Sequence, residues 1–383
     1  MARTIAIDAD FDGGSIAVVG ADEVSVDLSL VPDNASEHMQ WFSFRAHVKP
    51  RKRAAFRITN ASEATYANAW EGYRVVASED GETWFRVPTE YDGEVLSFEH
   101  VSRGPLPHGV LHFAYFAPYP WERHVALLER ADASTFARVE TVGQSVDGRP
   151  MSLVVIGDED DDDKRRVWIN ARQHPGETGA EWFMEGAIAR LLDASDPVTQ
   201  ALLEKACFFL VPNMNPDGSV RGNHRTNAAG RDLNRQWDAP DEEESPEVFS
   251  VREKLQEIGC DLFLDVHADE QNPYVFAAGC EGNPGYTDRI DELEDAFMDS
   301  LVALDTDFQR EYGYDRDDPG DGDLSAAANW VGEEFDCLSL TLEMPFKDNA
   351  NDPDPEKGWS PDRAKHLGRT TLESVLVCAD TLR

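Results

Sequence analysis

The sequence predicts an α/β protein: a mixed, mostly parallel, twisted sheet flanked by helices, preceded by an antiparallel β-sandwich. Three observations carry this prediction. Up to Phe116 the chain reads as short strand-forming runs cut by turn signals, the pattern of a sandwich. From Tyr119 onward, strand-like and helix-like runs alternate, which argues for layered α/β architecture. Four strongly apolar strands in the second half each run straight into polar residues, and ligands of open α/β sheets bind outside the carboxyl ends of strands. The boundary falls between residues 117 and 125, giving a sandwich over 1–118 and an α/β domain over 119–383.

The sandwich strands are expected at 4–8, 15–20, 26–31, 41–48, 54–59, 73–78, 84–88, 95–100 and 110–116. Asp12-Gly-Gly14, Pro32-Asp-Asn34, Glu79-Asp-Gly81 and Tyr91-Asp-Gly93 separate them, each supplying residues that tolerate turn geometry. No dense polar constellation lies in this part, which reads as scaffold or docking module. After it, Pro120-Trp-Glu-Arg-His opens a helix, with Pro where a first turn tolerates it. The acidic run 158–163, followed by Lys164-Arg-Arg166, reads as a solvated hairpin loop between strands 152–156 and 167–170.

Charge and composition exclude several functions. The 383 residues hold 35 Lys and Arg against 74 Asp and Glu, a net charge of −39. Such a chain repels nucleic-acid phosphates and anionic lipid, so neither is expected as a partner. With 41 % apolar residues and 9 Trp, 9 Tyr and 19 Phe, a sizeable core is expected rather than disorder. The five cysteines are scattered without C-x-x-C spacing, and the N-terminus lacks the apolar stretch of a signal peptide. No run is long enough to span a membrane. A cytoplasmic setting is expected, and self-association is left open.

The strand ends carry the chemistry. Strand 167–172 leads to Gln173-His-Pro-Gly-Glu177, strand 208–211 to Asn213-Met-Asn-Pro-Asp-Gly218, strand 262–266 to His267, and strand 338–342 to Glu343. Convergence requires that these strands run broadly parallel. His174 and Glu177, with Pro-Gly between, cannot sit in a regular helix, but a turn can aim both at one point before a helix over 178–192. Imidazole plus carboxylate suits Zn²⁺, and His267 is the natural third ligand, leaving a fourth position for water. On the last strand Leu338, Leu340 and Leu342 alternate with Ser339, Thr341 and Glu343, so one face meets polar surroundings. A carboxylate there can act as general base and then general acid. Segment 215–235 holds Arg221, Arg225, Arg231 and Arg235 against Asp217 and Asp232, locally +2, which reads as a small cationic funnel for a carboxylate.

These residues, His174-Pro-Gly-Glu177, Asn215-Pro-Asp-Gly218, Asp232-Leu-Asn-Arg235, His267 and the strand ending in Glu343, resemble the zinc metallocarboxypeptidases (funnelins) in order and spacing. Thr141-Val-Gly-Gln-Ser-Val-Asp-Gly-Arg-Pro150 is similar to the segment that leads into that family's catalytic domain. The β-rich first part, ending in Phe113-Ala-Tyr-Phe-Ala-Pro-Tyr119, resembles the cytosolic carboxypeptidase subfamily, including its bacterial members.

The resemblance implies one zinc ion per chain, bound by His174, Glu177 and His267, with a zinc-bound water activated by Glu343. It implies that Arg225 polarises the scissile carbonyl. Asn234 and Arg235 would hold the substrate's terminal carboxylate, and Asp232 would orient His174. Tyr312 and Tyr314 are both candidates for the family's substrate-capping tyrosine. Ala268-Asp-Glu270 departs from the pancreatic-type enzymes. Segment 324–330, where the family places its specificity pocket, has no Lys or Arg. Relatives that remove glutamate from polyglutamylated tails carry basic residues there, which argues against that activity here.

The expected function is hydrolysis of the last peptide bond of a peptide or protein C-terminal tail. Two alternatives stay open: a zinc amidohydrolase of small N-acyl amino acids, as in the desuccinylase and aspartoacylase relatives, and a non-catalytic protein-binding scaffold.

Overall fold

Alternating apolar residues on short strands build two facing sheets at the front of the chain. In the computed structural model, the described residues are 5–21, 25–49, 51–102, 104, 106 and 109–382. One sheet runs β1 (Ala6–Asp8), β4 (Ser43–His47), β10 (Val110–Ala114), β6 (Val76–Ser78) and β7 (Trp84–Arg86). The other runs β2 (Ala17–Ala21), β3 (Val26–Ser29), β5 (Arg53–Ile58), β9 (Leu96–Val101) and β8 (Thr89–Tyr91). Phe44, Phe56, Phe98 and Phe113 meet between them, with ring centroids 4.9 to 6.3 Å apart, so aromatic burial on both inner faces locks the sheets together.

The nine expected strands each have a counterpart here, although residue 4 of the first lies outside the described residues. Two features differ from expectation. Strand β8 was not read from the sequence: it has three residues and follows Pro88 directly, too short for a periodicity signal. Strands β3 and β5 pair in parallel within the otherwise antiparallel sandwich, because the chain crosses to the first sheet as β4 between them.

The second part holds one seven-stranded sheet. Its order is β11 (Ala137–Gln144), β12 (Pro150–Ile156), β14 (Ala206–Val211), β13 (Arg165–Ala171), β15 (Leu262–Asp269), β17 (Leu338–Pro345) and β16 (Phe276–Ala278). β14, β13, β15 and β17 run parallel, as convergence of their ends requires. The acidic run 158–163 is not a hairpin loop. β12 and β13 are not neighbours, because the wholly buried strand Ala206–Val211 inserts between them, antiparallel to one and parallel to the other.

Helix α1 (Trp121–Asp132) starts one residue after Pro120, which takes the N-cap position rather than the first turn. Helices α2 (Thr178–Leu191), α3 (Pro197–Lys205), α4 (Pro216–Arg221), α5 (Pro246–Ile258), α6 (Asp288–Leu304), α7 (Ala327–Phe335) and α8 (Pro361–Cys378) complete the chain. The strand alternation divides the apolar residues between two cores. Phe208, Leu210, Leu262, Leu264, Leu340 and Leu342 pack with α2, α6 and α8, whereas Cys207, Phe209, Val211 and Phe263 pack with α5 and α7. By the same period of two, Asp265, His267, Thr341 and Glu343 face the α5 and α7 side. Among the described residues, no helix is long and apolar enough to cross a membrane.

Candidate active site

Three of the four strand ends, those of β13, β15 and β17, meet at a cavity of about 720 Å³, whereas the residues after β14 lie behind it, where the Asn215 side chain donates to the Gln173 carbonyl. After β13 the chain turns through Arg172, which takes φ +59° despite its side chain. The Arg172 guanidinium is buried and donates to the carbonyls of Pro175 and Tyr119 and to Glu181, so it braces the turn that carries His174 and Glu177. Glu177 is the N-cap residue of α2. Gly176 donates its N–H to the carbonyl of His224, and a Cβ there would lie 2.6 Å from His224 Nδ1, so only glycine allows the two loops to approach.

The ligand-type atoms of His174, Glu177 and His267 all lie within 4.8 Å of one another, and all three residues are buried. Both imidazoles turn Nδ1 toward one carboxylate: His174 Nδ1 lies 2.6 Å from Glu177 Oε1, and His267 Nδ1 lies 2.8 Å from Glu177 Oε2. Each Nε2 is held by a carboxylate behind it, His174 by Asp232 Oδ1 at 3.0 Å and His267 by Asp265 Oδ2 at 2.7 Å. Two histidines with matched orientation, one carboxylate between them and carboxylates in support form a donor set that fits Zn²⁺. Burial alone would raise the Glu177 carboxyl, but the two imidazoles overcome it and hold it well below the usual range. Burial also opposes protonation of both histidines, yet Glu177 with Asp232 raises His174, and Asp265 with Glu177 raises His267.

Asp265 was not singled out from the sequence. Its signal is period two: it stands two residues before His267 and shares its face. Gln173 donates to the same Asp265 oxygen at 2.6 Å, and Trp237 donates to Gln173 at 2.8 Å, so a buried chain of partners fixes the ring.

His267 and Glu343 are opposite each other on the parallel strands β15 and β17. Glu343 Oε1 accepts from the Tyr314 hydroxyl at 3.0 Å, and Oε2 is buried with no hydrogen-bond partner. Burial pushes the Glu343 carboxyl well above the usual carboxylate range; His267 opposes this, and Glu177 and Asp269 add repulsion. The two tyrosine candidates part company here. Both are about half exposed, but the Tyr314 hydroxyl reaches Glu343 and also Asp269 at 2.9 Å, whereas Tyr312 stacks on Tyr274 at 4.4 Å between centroids.

Arg225 lines the cavity. Its Nε donates to Asp232 Oδ2 at 2.7 Å and its Nη1 to the Tyr66 hydroxyl at 2.6 Å. Asn234 and Arg235 also line it. Asn234 Oδ1 accepts from the Ala327 N–H, and Arg235 is half exposed, 3.7 Å from Asp323.

The expected cationic funnel is not what the cavity presents. Its lining carries ten carboxylates against four arginines, Arg225, Arg235, Arg310 and Arg316, and each arginine has an acidic partner. Arg221 and Arg231 point elsewhere, to Asp147 and Glu244. The local +2 of segment 215–235 is neutralised by acids outside it, Asp147, Glu244 and Asp323, which a count over the segment alone does not register. Segment 324–330 contributes Ala326 and Asn329 to the wall, and the cation beside it, Arg316, comes from the preceding acidic stretch and is bound by Glu281 and Asp291.

Comparison with known proteins places this geometry. Residues 7–116 match the family model for the cytosolic carboxypeptidase N-terminal domain, and residues 125–364 match the model for zinc carboxypeptidase. A metallo-carboxypeptidase structure from Burkholderia cenocepacia is 45 % identical, covering 99 % of this chain and 100 % of that one, with a TM-score of 0.95. A metallo-carboxypeptidase from Pseudomonas aeruginosa is 48 % identical over 99 % of this chain and 100 % of that one, with a TM-score of 0.94. Cytosolic carboxypeptidase 6 of Caenorhabditis elegans is 28 % identical over 373 residues, 89 % of this chain and 79 % of the worm protein. The resemblance read from the motifs therefore holds across nearly the whole length, and the chain belongs to the zinc carboxypeptidase family, a metallocarboxypeptidase with the cytosolic-type N-terminal domain.

Proposed function

We propose that this metallocarboxypeptidase hydrolyses the C-terminal peptide bond of peptide or protein tails in the cytoplasm, with residues 1–118 as the sandwich and 119–383 as the catalytic domain. His174 and His267 through Nδ1, and Glu177 through its carboxylate, would hold one Zn²⁺. When bound, that ion supplies Lewis-acid polarisation of the carbonyl and makes water acidic enough to be activated near neutral pH. Glu343 takes the proton of the attacking water at Oε2 and returns it to the leaving amine. Arg225, held at Nε and Nη1, presents its remaining edge to the carbonyl oxygen, where negative charge develops. Asn234 and Arg235 hold the terminal carboxylate, and Tyr314, rather than Tyr312, closes over Glu343.

The observation that carries this reading is the unpartnered, buried Oε2 of Glu343, on the strand position opposite His267 and beside the ligand triad. A buried acceptor left without a donor costs free energy, which a bound water or substrate proton recovers. Support also comes from the Pseudomonas aeruginosa relative, whose structure is a complex with (2-guanidinoethylmercapto)succinic acid. The succinate carboxylates of that compound share the chemistry of a peptide C-terminus. The worm relative's name supports a cytosolic setting.

The test is mass spectrometry of a peptide library incubated with the protein, alongside N-acetyl and N-succinyl amino acids. Residues should leave singly from the C-terminus. Release should stop with a zinc chelator and fall at least about 100-fold in Glu343→Gln, the lower end of what a general base contributes. Cleavage of the N-acyl amino acids alone would replace this reading with the amidohydrolase one. No hydrolysis by zinc-loaded protein would leave the scaffold.

A further inference from the structure

We infer that the N-terminal sandwich is part of the catalytic apparatus, with Asp33 and Tyr66 acting as positioning residues for Arg225. The inference rests on the role proposed above for Arg225 and assigns to the first domain a task beyond scaffolding.

Asp33 lies in the loop after β3, nearly inaccessible, and its carboxylate is spent wholly on the loop that carries Arg225. Oδ1 accepts the N–H of His224 at 2.6 Å. Oδ2 accepts the N–H of Arg225 at 2.8 Å, the N–H of Thr226 at 2.9 Å and the Thr226 hydroxyl at 3.1 Å. Three successive backbone donors on one charged acceptor fix the backbone of residues 224–226 more firmly than neutral bonds would. Asn34 adds a side-chain bond to the Ala228 carbonyl and one from Asn223.

Tyr66 then sets the side chain. Its hydroxyl accepts from Arg225 Nη1 while Asp232 accepts from Nε, so two edges of the guanidinium are fixed by two different domains. Among the described residues Nη2 makes no hydrogen bond, and Arg225 lines the cavity, so the remaining edge faces the place a carbonyl oxygen would occupy. Tyr66 is itself anchored: its N–H donates to the buried Gln40 side chain, and its neighbour Thr65 exchanges two bonds with Met39.

The close fit of the two domains is built into the backbone. Gly222 and Gly230 have φ of +73° and +80°, and a Cβ on either would lie 2.8 Å from the Gly14 carbonyl or 2.2 Å from the Ala35 carbonyl. An arginine that must be aimed for the transition state works only if its position is settled before reaction, and here the settling groups come from the sandwich.

The experiment is a double-mutant cycle of Tyr66→Phe and Arg225→Ala, using the best-cleaved N-blocked dipeptide of a panel, with zinc content and Tm measured on each variant. Tyr66→Phe should lower kcat about 10- to 100-fold, the equivalent of one hydrogen bond to a charged group. KM, zinc content and Tm should hold. In the Arg225→Ala background the same change should have almost no further effect. Asp33→Asn should lower kcat in the same way. An unchanged kcat in Tyr66→Phe, or an equal loss in both backgrounds, overturns the inference. Failure of the zinc-loaded wild type to cleave any dipeptide would instead overturn the reading on which it rests.

Discussion

Asp265 holds His267 from two residues upstream on the same strand, Oδ2 lying 2.7 Å from Nε2, while the other oxygen of Asp265 is buried without a partner. The contact fixes the ring so that Nδ1 points at Glu177. A carboxylate in that place both orients a ligand and raises its basicity. Asp265→Asn keeps the shape and removes the charge. Zinc affinity, measured by competition with a chelator, should fall about 10- to 100-fold, the range seen when such supporting groups are lost. Unchanged affinity would mean that the triad needs no support from this strand.

Tyr314 and Tyr312 should separate cleanly by mutation. The Tyr314 hydroxyl has one proton and two carboxylate neighbours, Asp269 and Glu343, at 2.9 and 3.0 Å. Removing it leaves both buried acids less satisfied, so Tyr314→Phe should cost about tenfold in kcat/KM. Tyr312 lies against Tyr274 by its ring face, and its hydroxyl is not needed for that stacking. Tyr312→Phe should stay within about twofold, because its hydroxyl bonds to neither Glu343 nor Asp269, the acids that Tyr314 holds. Equal losses in the two variants would show that the loop moves as a unit and that the resting contacts are a poor guide.

Legibility in the sequence followed range. The sandwich strands and the helix after Glu177 depend on local periodicity and turn residues, and the structure has them within a few residues. The ligand-type residues could be read because each stands at the end of an apolar run, and a strand end is a local signal. Strand adjacency was not legible: nothing near residues 152–170 announces that Ala206–Val211 will insert between the two strands. Partners supplied from far along the chain were equally hidden. Asp33 and Tyr66 reach Arg225 across 192 and 159 positions, and neither has an unusual neighbourhood in sequence. The partner of Arg235, Asp323, stayed hidden for the same reason, whereas Asp232, seven residues from Arg225, stood in plain view.

The acidic lining predicts a salt dependence of definite sign. Ten carboxylates against four arginines leave the wall negative even with a divalent cation bound. Screening shortens to about 3 Å at 1 M salt from about 10 Å at 0.1 M. For a peptide with an acidic tail, kcat/KM should therefore rise as salt is added, since repulsion on approach is relieved. For a lysine-rich tail of the same length it should fall. A steep fall with the acidic peptide would mean that a local cation, Arg316 or Arg235, dominates capture.

Glu247 predicts where stability is lost with pH. It lies fully buried on α5, accepting from the Val146 N–H and the Asn227 side chain. Burial, with Asp217 adding repulsion, pushes its carboxyl up to about 7 against these hydrogen bonds. The folded state therefore holds this proton more tightly than the unfolded chain, whose glutamates titrate near 4.3. Between those values the folded protein binds more protons than the unfolded one, so stability falls as pH rises and levels off above about 7. The full effect is bounded at about 4 kcal/mol. Urea unfolding at pH 5 and pH 8 should show the wild type losing stability over that interval, and Glu247→Gln, which cannot ionise, losing less. The charge that Glu247 acquires lies beside Asn227, in the same loop that continues from Arg225 and Thr226. The variant should therefore also retain more of its activity at pH 8 after mild urea exposure than the wild type does. If both proteins lose stability in parallel from pH 5 to 8, the group is ionised throughout and the buried site is wetter than its packing implies.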